Sequence, residues 1–172
     1  MSPSRSDSVR HLPMFEHALL WAMRFWGWQC RGCCAAPLAR IGQVFADLGA
    51  PEAAADFHGM MRGLFATRSG QPRLSPLGDT ALAPDERLLL DVLALQQARR
   101  SAEGVALLGM LIPHDRALTG YACIVRLIAA FNAAGHRLER PLAAASAGPL
   151  VVWPAPVAAR RRADPVASRP AD

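Results

Sequence analysis

Three cysteines stand close together in the sequence, Cys30, Cys33 and Cys34. Thiols three residues apart face the same side of a helix, so Cys30 and Cys33 could bind one metal ion or form a redox pair. A structural zinc ion needs four ligands, and the others would come from residues at irregular spacing: Cys34, His17, His58 or Cys123. The alternative is that these thiols are small apolar side chains of the core. The pattern leaves open a metal- or thiol-dependent protein with zinc as the candidate cofactor.

Three aromatic residues, Trp21, Phe25 and Trp28, form a second candidate site. Their spacing of four and three residues places them in one strip along a helix. Large aromatic side chains are typical of protein interfaces. The strip therefore predicts contact with a protein partner or with a second copy of the chain. Burial under another helix, near Leu108, and attachment to a membrane surface are the alternatives.

Sequence patterns typical of enzymes are missing. There is no nucleophile elbow, no phosphate-binding glycine loop and no paired zinc-ligand histidine motif. His58 follows Asp56 on a predicted helix, but a general base also needs a pocket and a positioned partner. We interpret His58 as a hydrogen-bonded or solvated histidine at the edge of the core. The sequence therefore favours a non-enzymatic interaction protein, an adaptor or a regulator.

The formal net charge of +5 comes from arginine alone, since the chain has no lysine. Arginine-rich and alanine-rich composition without lysine indicates GC-rich coding, which is typical of bacteria. The arginines stand mostly apart, so the charge does not favour nucleic acid. Residues 37–67 could still form a helix-turn-helix pair, which makes a DNA-associated regulator the second alternative. However, the second helix begins with Glu52 and Asp56, which phosphates would repel.

Apolar residues recur with helical spacing from about residue 12 to residue 134. The sequence predicts an all-α fold, an irregular bundle of about five to six helices. Their expected bounds are 12–34, 37–48, 51–65, 84–99, 102–112 and 116–134. We place the helix containing Leu88 and Leu95 near the centre, and we place Val125 on the buried side of the last helix. Residues 68–83 are rich in Gly, Pro and Ser and predict a loop, either a plain connector or a functional segment.

The predicted domain organisation is one helical domain between two tails. Residues 1–10 are polar and charged and predict a flexible N-terminus, and residues 11–135 form the domain. Residues 136–172 are rich in Ala, Pro and Arg and predict a flexible tail.

The longest uncharged run, residues 141–159, contains four prolines. One interior proline costs a helix about 3 kcal/mol, so no transmembrane segment is predicted. The first residues do not resemble a secretory leader, which predicts a cytoplasmic protein with reduced thiols.

Overall fold

The computed structural model describes residues 8–29, 35–66, 71–112 and 114–139. These residues form six α-helices: α1 (Met14–Gln29), α2 (Ala35–Asp47), α3 (Ala53–Leu64), α4 (Pro84–Gln97), α5 (Ser101–Leu108) and α6 (His114–Ala133). A short 3₁₀ helix, Val9–His11, precedes α1. Within the described ranges, the one element of β structure is an isolated bridge between Ser8 and Ala81. The predicted all-α fold is confirmed.

Helix α1 shows why the apolar spacing produces a bundle. Its inner face repeats at intervals of three and four residues and is buried: Phe15, Leu19, Ala22, Met23 and Trp26. Fully burying one large apolar side chain stabilises a fold by about 1.5–3 kcal/mol. Such a face holds the helix against its neighbours, because a helix of this length is marginal in water by itself.

The helix ends follow local chemistry. Pro84 occupies the first turn of α4, where its missing N–H costs nothing. Gly49, after α2, and Gly135, after α6, adopt φ angles of +75° and +84°, which residues with a side chain rarely adopt. These residues set the positions where α2 and α6 stop.

Helices α3, α4 and α6 each pack against three other helices. Helix α6 packs against α3, α4 and α5, and α4 also packs against α1. Three phenylalanines meet edge to face where α2, α3 and α6 converge. The ring centroid of Phe45 lies 5.3 Å from that of Phe57 and 5.2 Å from that of Phe131. Aromatic pairs prefer this geometry, which adds about 0.5–1.5 kcal/mol to the burial of their area.

The predicted burial of Val125 on α6 is wrong. Val125 is 40% exposed, while Tyr121, Ile124 and Ile128 are buried. Successive helical residues are rotated by about 100°, so Val125 lies outside the sector that faces α3 and α4. No helix in the described ranges combines the length and apolarity needed to cross a membrane.

The packed chain extends past the boundary predicted at residue 135. The imidazole of His136 stacks on Phe15 with ring centroids 4.7 Å apart, and its Nε2 lies 2.7 Å from the carbonyl oxygen of Leu48. The backbone N–H of Leu138 donates to Oε1 of Gln97 at 2.7 Å. Residues 136–139 therefore belong to the helical unit. The amphipathic spacing does not show this, because the contacts are made by polar side chains.

The unit also begins earlier than predicted. Val9 is buried, although we expected it in a flexible N-terminus. Its backbone N–H donates to the carbonyl oxygen of Thr80 at 2.9 Å. This contact joins the start of the described chain to the loop that precedes α4.

Candidate interaction site

A concave surface lies between α1 and residues 71–83, and we call it the α1 groove. It consists of two cavities of about 580 Å³ and about 200 Å³, and both are lined by Arg24 and Leu77. The larger cavity is also lined by Gly27, Trp28, Leu74, Ser75 and Pro76. The loop predicted at 68–83 therefore forms one wall of the groove in its described part.

A buried ion pair holds this loop against the helix. Arg24 is 3% exposed and Glu86 is fully buried. Nε and Nη2 of Arg24 donate to the two oxygens of Glu86, both at 2.8 Å. The same oxygens accept the backbone N–H groups of Ser75 at 2.8 Å and Ala83 at 2.9 Å. A buried carboxylate is tolerated when its lone pairs are satisfied in this way.

The remaining donors of Arg24 bind the loop backbone. Nη1 donates to the carbonyl oxygens of Asp79 at 2.6 Å and Pro76 at 3.3 Å. Nη2 donates to the carbonyl oxygen of Ala81 at 2.7 Å. One guanidinium therefore fixes three points of the loop, and all five of its N–H donors are used.

The sequence does not reveal this pair. Arg24 stands between two apolar strips of α1, and Glu86 is sufficiently explained as an acidic residue near the N-terminus of α4. The two residues are 62 positions apart. The one available signal is that Arg24 interrupts the apolar run from residue 18 to residue 28, since such a side chain needs a partner if it is buried.

Close approach of the loop to α1 depends on Gly27. A Cβ atom at this position would lie 2.7 Å from Cδ1 of Leu74, which is closer than non-bonded carbons approach. The absence of a side chain lets Leu74 rest directly on the helix. Leu74 then forms the apolar wall opposite Trp28.

The predicted aromatic strip is partly core and partly surface. Trp21 and Phe25 are half-buried and stack with ring centroids 4.9 Å apart and an interplanar angle of 14°. Trp28 is 70% exposed. Trp21 lines the smaller cavity and Trp28 lines the larger one. The helix near Leu108, which was one candidate to cover the aromatic strip, is α5. It packs mainly against α4 and α6.

The three cysteines of the predicted metal site, Cys30, Cys33 and Cys34, lie outside the described residues. Among the residues that the structure describes, no group of three His, Cys, Asp or Glu side chains could hold a metal ion. His17 is exposed and lines the smaller cavity. Cys123 lies on α6 with its Sγ 3.5 Å from Nη2 of Arg126. Zinc binding therefore stays a prediction.

His58 links α3 to α1. Its Nδ1 accepts a hydrogen bond from Nε1 of Trp26 at 2.9 Å. Partial burial lowers the pKa of His58, and the nearby charge of Arg62 lowers it further. A neutral imidazole suits this contact, because Nδ1 can accept a hydrogen bond only when Nδ1 itself carries no proton. This agrees with the interpretation of His58 as a hydrogen-bonded histidine at the edge of the core.

The helix pair predicted at 37–67 corresponds to α2 and α3. Between residues 53 and 64, the exposed side chains are Ala55 and Arg62. Asp56 forms an ion pair with Arg126 of α6, with a separation of 2.7 Å. Because α3 packs against both α2 and α6, little of it is left to enter a DNA groove. A DNA-associated function stays a prediction.

The α1 groove is suited to binding by shape and apolar contact. The side chains that line the larger cavity are mostly apolar, while the smaller cavity is also lined by Arg10, His17, Asp79 and Thr80. The guanidinium of Arg24 has already used its donors on the protein itself. No match to this chain was found in three comparisons, with protein-family models, with curated proteins and with solved structures.

Proposed function

We propose that this chain is a protein-interaction module, an adaptor or a regulator, and that it binds its partner through the α1 groove. The observation that carries the proposal is the position of Trp28. Its side chain is 70% exposed at the edge of an apolar cavity of about 580 Å³. Tryptophan is among the residues that contribute most when a partner covers them. Covering apolar surface removes it from water, which favours association.

The rigid wall of the groove supports the proposal. Arg24 and Glu86 fix the loop without a partner present, so little loop ordering remains to oppose association. The larger cavity, of about 580 Å³, also has room for a bulky side chain of a partner.

The test compares two exposed apolar side chains. Trp28→Ser removes the aromatic edge of the groove, and Met110→Ser alters a side chain that is 74% exposed in the turn after α5. We expect Trp28→Ser to lose the proteins that co-purify with the wild-type chain, and Met110→Ser to retain them. Light scattering on the purified proteins shows whether the lost partner is a second copy of the chain.

Two results would contradict the proposal. One is recovery of the same proteins, and the same oligomeric mass, from both variants. The other is a large fall in the thermal stability of Trp28→Ser alone, because Trp28 would then be a residue of the core. A mostly exposed side chain should leave the melting temperature nearly unchanged.

A further inference from the structure

The larger cavity of the α1 groove lies directly beside an exposed apolar side chain. Trp28 lines this cavity of about 580 Å³, and its own side chain is 70% exposed. Leu74 and Leu77 line the same cavity. One patch of the surface therefore combines a large apolar side chain that water reaches with an apolar cavity suited to receive such a side chain.

A patch of this kind suits contact with a second copy of the chain. In a two-fold dimer the same surface of both subunits meets, so each residue contact occurs twice. If the two-fold axis passes beside Trp28, the indole of each subunit lies over the larger cavity of the other. One contact then covers both tryptophans and fills both cavities. A partner of another kind would have to supply its own side chain for the cavity as well as a surface that covers Trp28.

The charge of the chain is the second argument for this contact. The formal net charge is +5, so two copies repel each other where unpaired arginines meet. Among the described residues that line the larger cavity, the one charged side chain is that of Arg24. Its guanidinium is paired with Glu86 inside the fold. The described lining of the larger cavity therefore brings no unpaired charge into a contact between two copies.

We infer that the partner of the α1 groove is a second copy of this chain, joined to the first in a two-fold dimer centred on Trp28. This inference rests on the proposed function and names the partner of that same surface. The indole of each Trp28 enters the larger cavity of the other subunit, against Leu74 and Leu77. The two indoles supply most of the affinity, because aromatic side chains near the centre of an interface contribute most to binding.

Salt should strengthen this dimer. Two chains of charge +5 repel each other, and dissolved salt screens that repulsion. The apolar contact between indole and cavity has no charge for salt to screen. We therefore expect the Kd of the dimer to fall between about 0.01 M and about 0.15 M salt. A partner bound through opposite charge would show the reverse dependence.

Sedimentation equilibrium on the purified full chain tests the inference, with a reducing agent present so that cysteine oxidation does not contribute. The average mass should rise with concentration from monomer to dimer and no further, because a two-fold contact closes on itself. Trp28→Ser should raise the Kd by about tenfold or more. Met110→Ser, which alters a side chain that is 74% exposed after α5, should associate as the wild type does.

A mixture of two variants tests the exchange of side chains between subunits. Ser75→Phe is designed to fill the larger cavity, which Ser75 lines, while Trp28→Ser removes the side chain that enters it. Each variant alone loses both contacts of the dimer. A mixed dimer keeps one contact, since Trp28 of the first variant can enter the cavity of the second. The mixture should therefore associate more tightly than either variant alone.

Folding of each variant is checked by its circular dichroism spectrum and its melting temperature. If Ser75→Phe does not fold, the comparison of Trp28→Ser with Met110→Ser and the salt series still decide the inference, because neither uses that variant.

The outcomes separate this inference from the proposed function. A wild-type chain that stays monomeric up to about 1 mM overturns the inference. If other proteins then co-purify with it through Trp28, the interaction module stands. Association that weakens as salt rises, or a mixture of folded variants that associates no better than each variant alone, also overturns the inference. If neither a second copy nor another protein needs Trp28 for binding, the inference and the proposed function both fail.

Discussion

The two sides of this bundle are built in different ways. Where α6 packs against α3 and α5, the helices approach closely: a Cβ atom on Gly63 of α3 would lie 3.7 Å from the Cα of Gly120 of α6. Where α1 meets residues 71–83, a cavity of about 580 Å³ remains and one buried ion pair holds the wall. We call these the packed side and the groove side. The packed side is held by continuous apolar contact, while the groove side depends on a few polar atoms and leaves surface free for binding.

The largest expected effect tests how far the groove side depends on its ion pair. Glu86→Gln keeps the shape of the side chain but leaves the buried charge of Arg24 without its counter-ion. Breaking a buried pair in this way costs about 3–5 kcal/mol. Chemical denaturation should show this loss of unfolding free energy. Glu103→Gln, in an exposed pair with Arg100, is the control and should change little.

A smaller loss is expected when the packed side is overfilled. A Cβ atom on Gly104 would lie 2.6 Å from the hydroxyl oxygen of Tyr121 and 3.0 Å from its ring. Gly104→Ala therefore displaces a ring whose hydroxyl donates to Gln96 at 2.8 Å. Overfilling a packed core costs about 1–3 kcal/mol. The free energy of unfolding is measured by chemical denaturation. If it is the same for Gly104→Ala and the wild type, the packed side has space for a further methyl group.

The same substitution on the groove side should act locally. Gly27→Ala places a Cβ atom 2.7 Å from Cδ1 of Leu74, which is the end of a flexible side chain. Moving the end of Leu74 costs little free energy, and replacing glycine by alanine within a helix stabilises the fold by about 0.5–1 kcal/mol. We expect nearly unchanged global stability, with faster amide hydrogen exchange around Leu74. Gly42→Ala, where a Cβ atom makes ordinary contact at 3.8 Å, should not change exchange in the loop.

The smallest effect concerns the contact that joins α1 to α3. Folding lowers the pKa of His58 below its ordinary value of 6.5. The unfolded chain therefore takes up a proton at higher pH than the folded chain does, and the free energy of unfolding decreases as pH falls below 6.5. The loss is complete below the folded-state pKa.

His58→Asn provides the reference for this pH effect, because its side-chain oxygen can accept the indole N–H of Trp26 but does not titrate. Urea denaturation of both proteins across this pH range should show the wild type losing stability relative to the variant. If the difference in unfolding free energy between the two proteins stays constant with pH, the lowered pKa of His58 is contradicted.

The packed side could largely be predicted from the sequence, because burial there follows the helical period. On α3, Phe57 lies on the apolar face that recurs with helical spacing, and it is fully buried. The same spacing on the inner face of α1 places Leu19, which is also fully buried. The predicted burial of Val125 was wrong because this residue lies at the edge of the apolar sector, where spacing alone does not decide burial. The strip containing Trp28 was predicted, but its division into half-buried and exposed residues was not, since that depends on which helices cover α1.

The groove side could not be predicted, because it depends on single polar residues far apart in the chain. Nothing in local spacing pairs Arg24 with Glu86, which is 62 positions away. Hydrogen bonds of this kind follow from the tertiary fold, and the spacing of apolar residues carries no information about them.

Glu86 also determines how the loop can detach. Its carboxylate accepts the N–H groups of Ser75 and Ala83, one on each oxygen. If either end of the loop left, a buried charge would lose one of its partners, which opposes local opening. We therefore expect the amides of Ser75 and Ala83 to exchange with water slowly for a loop.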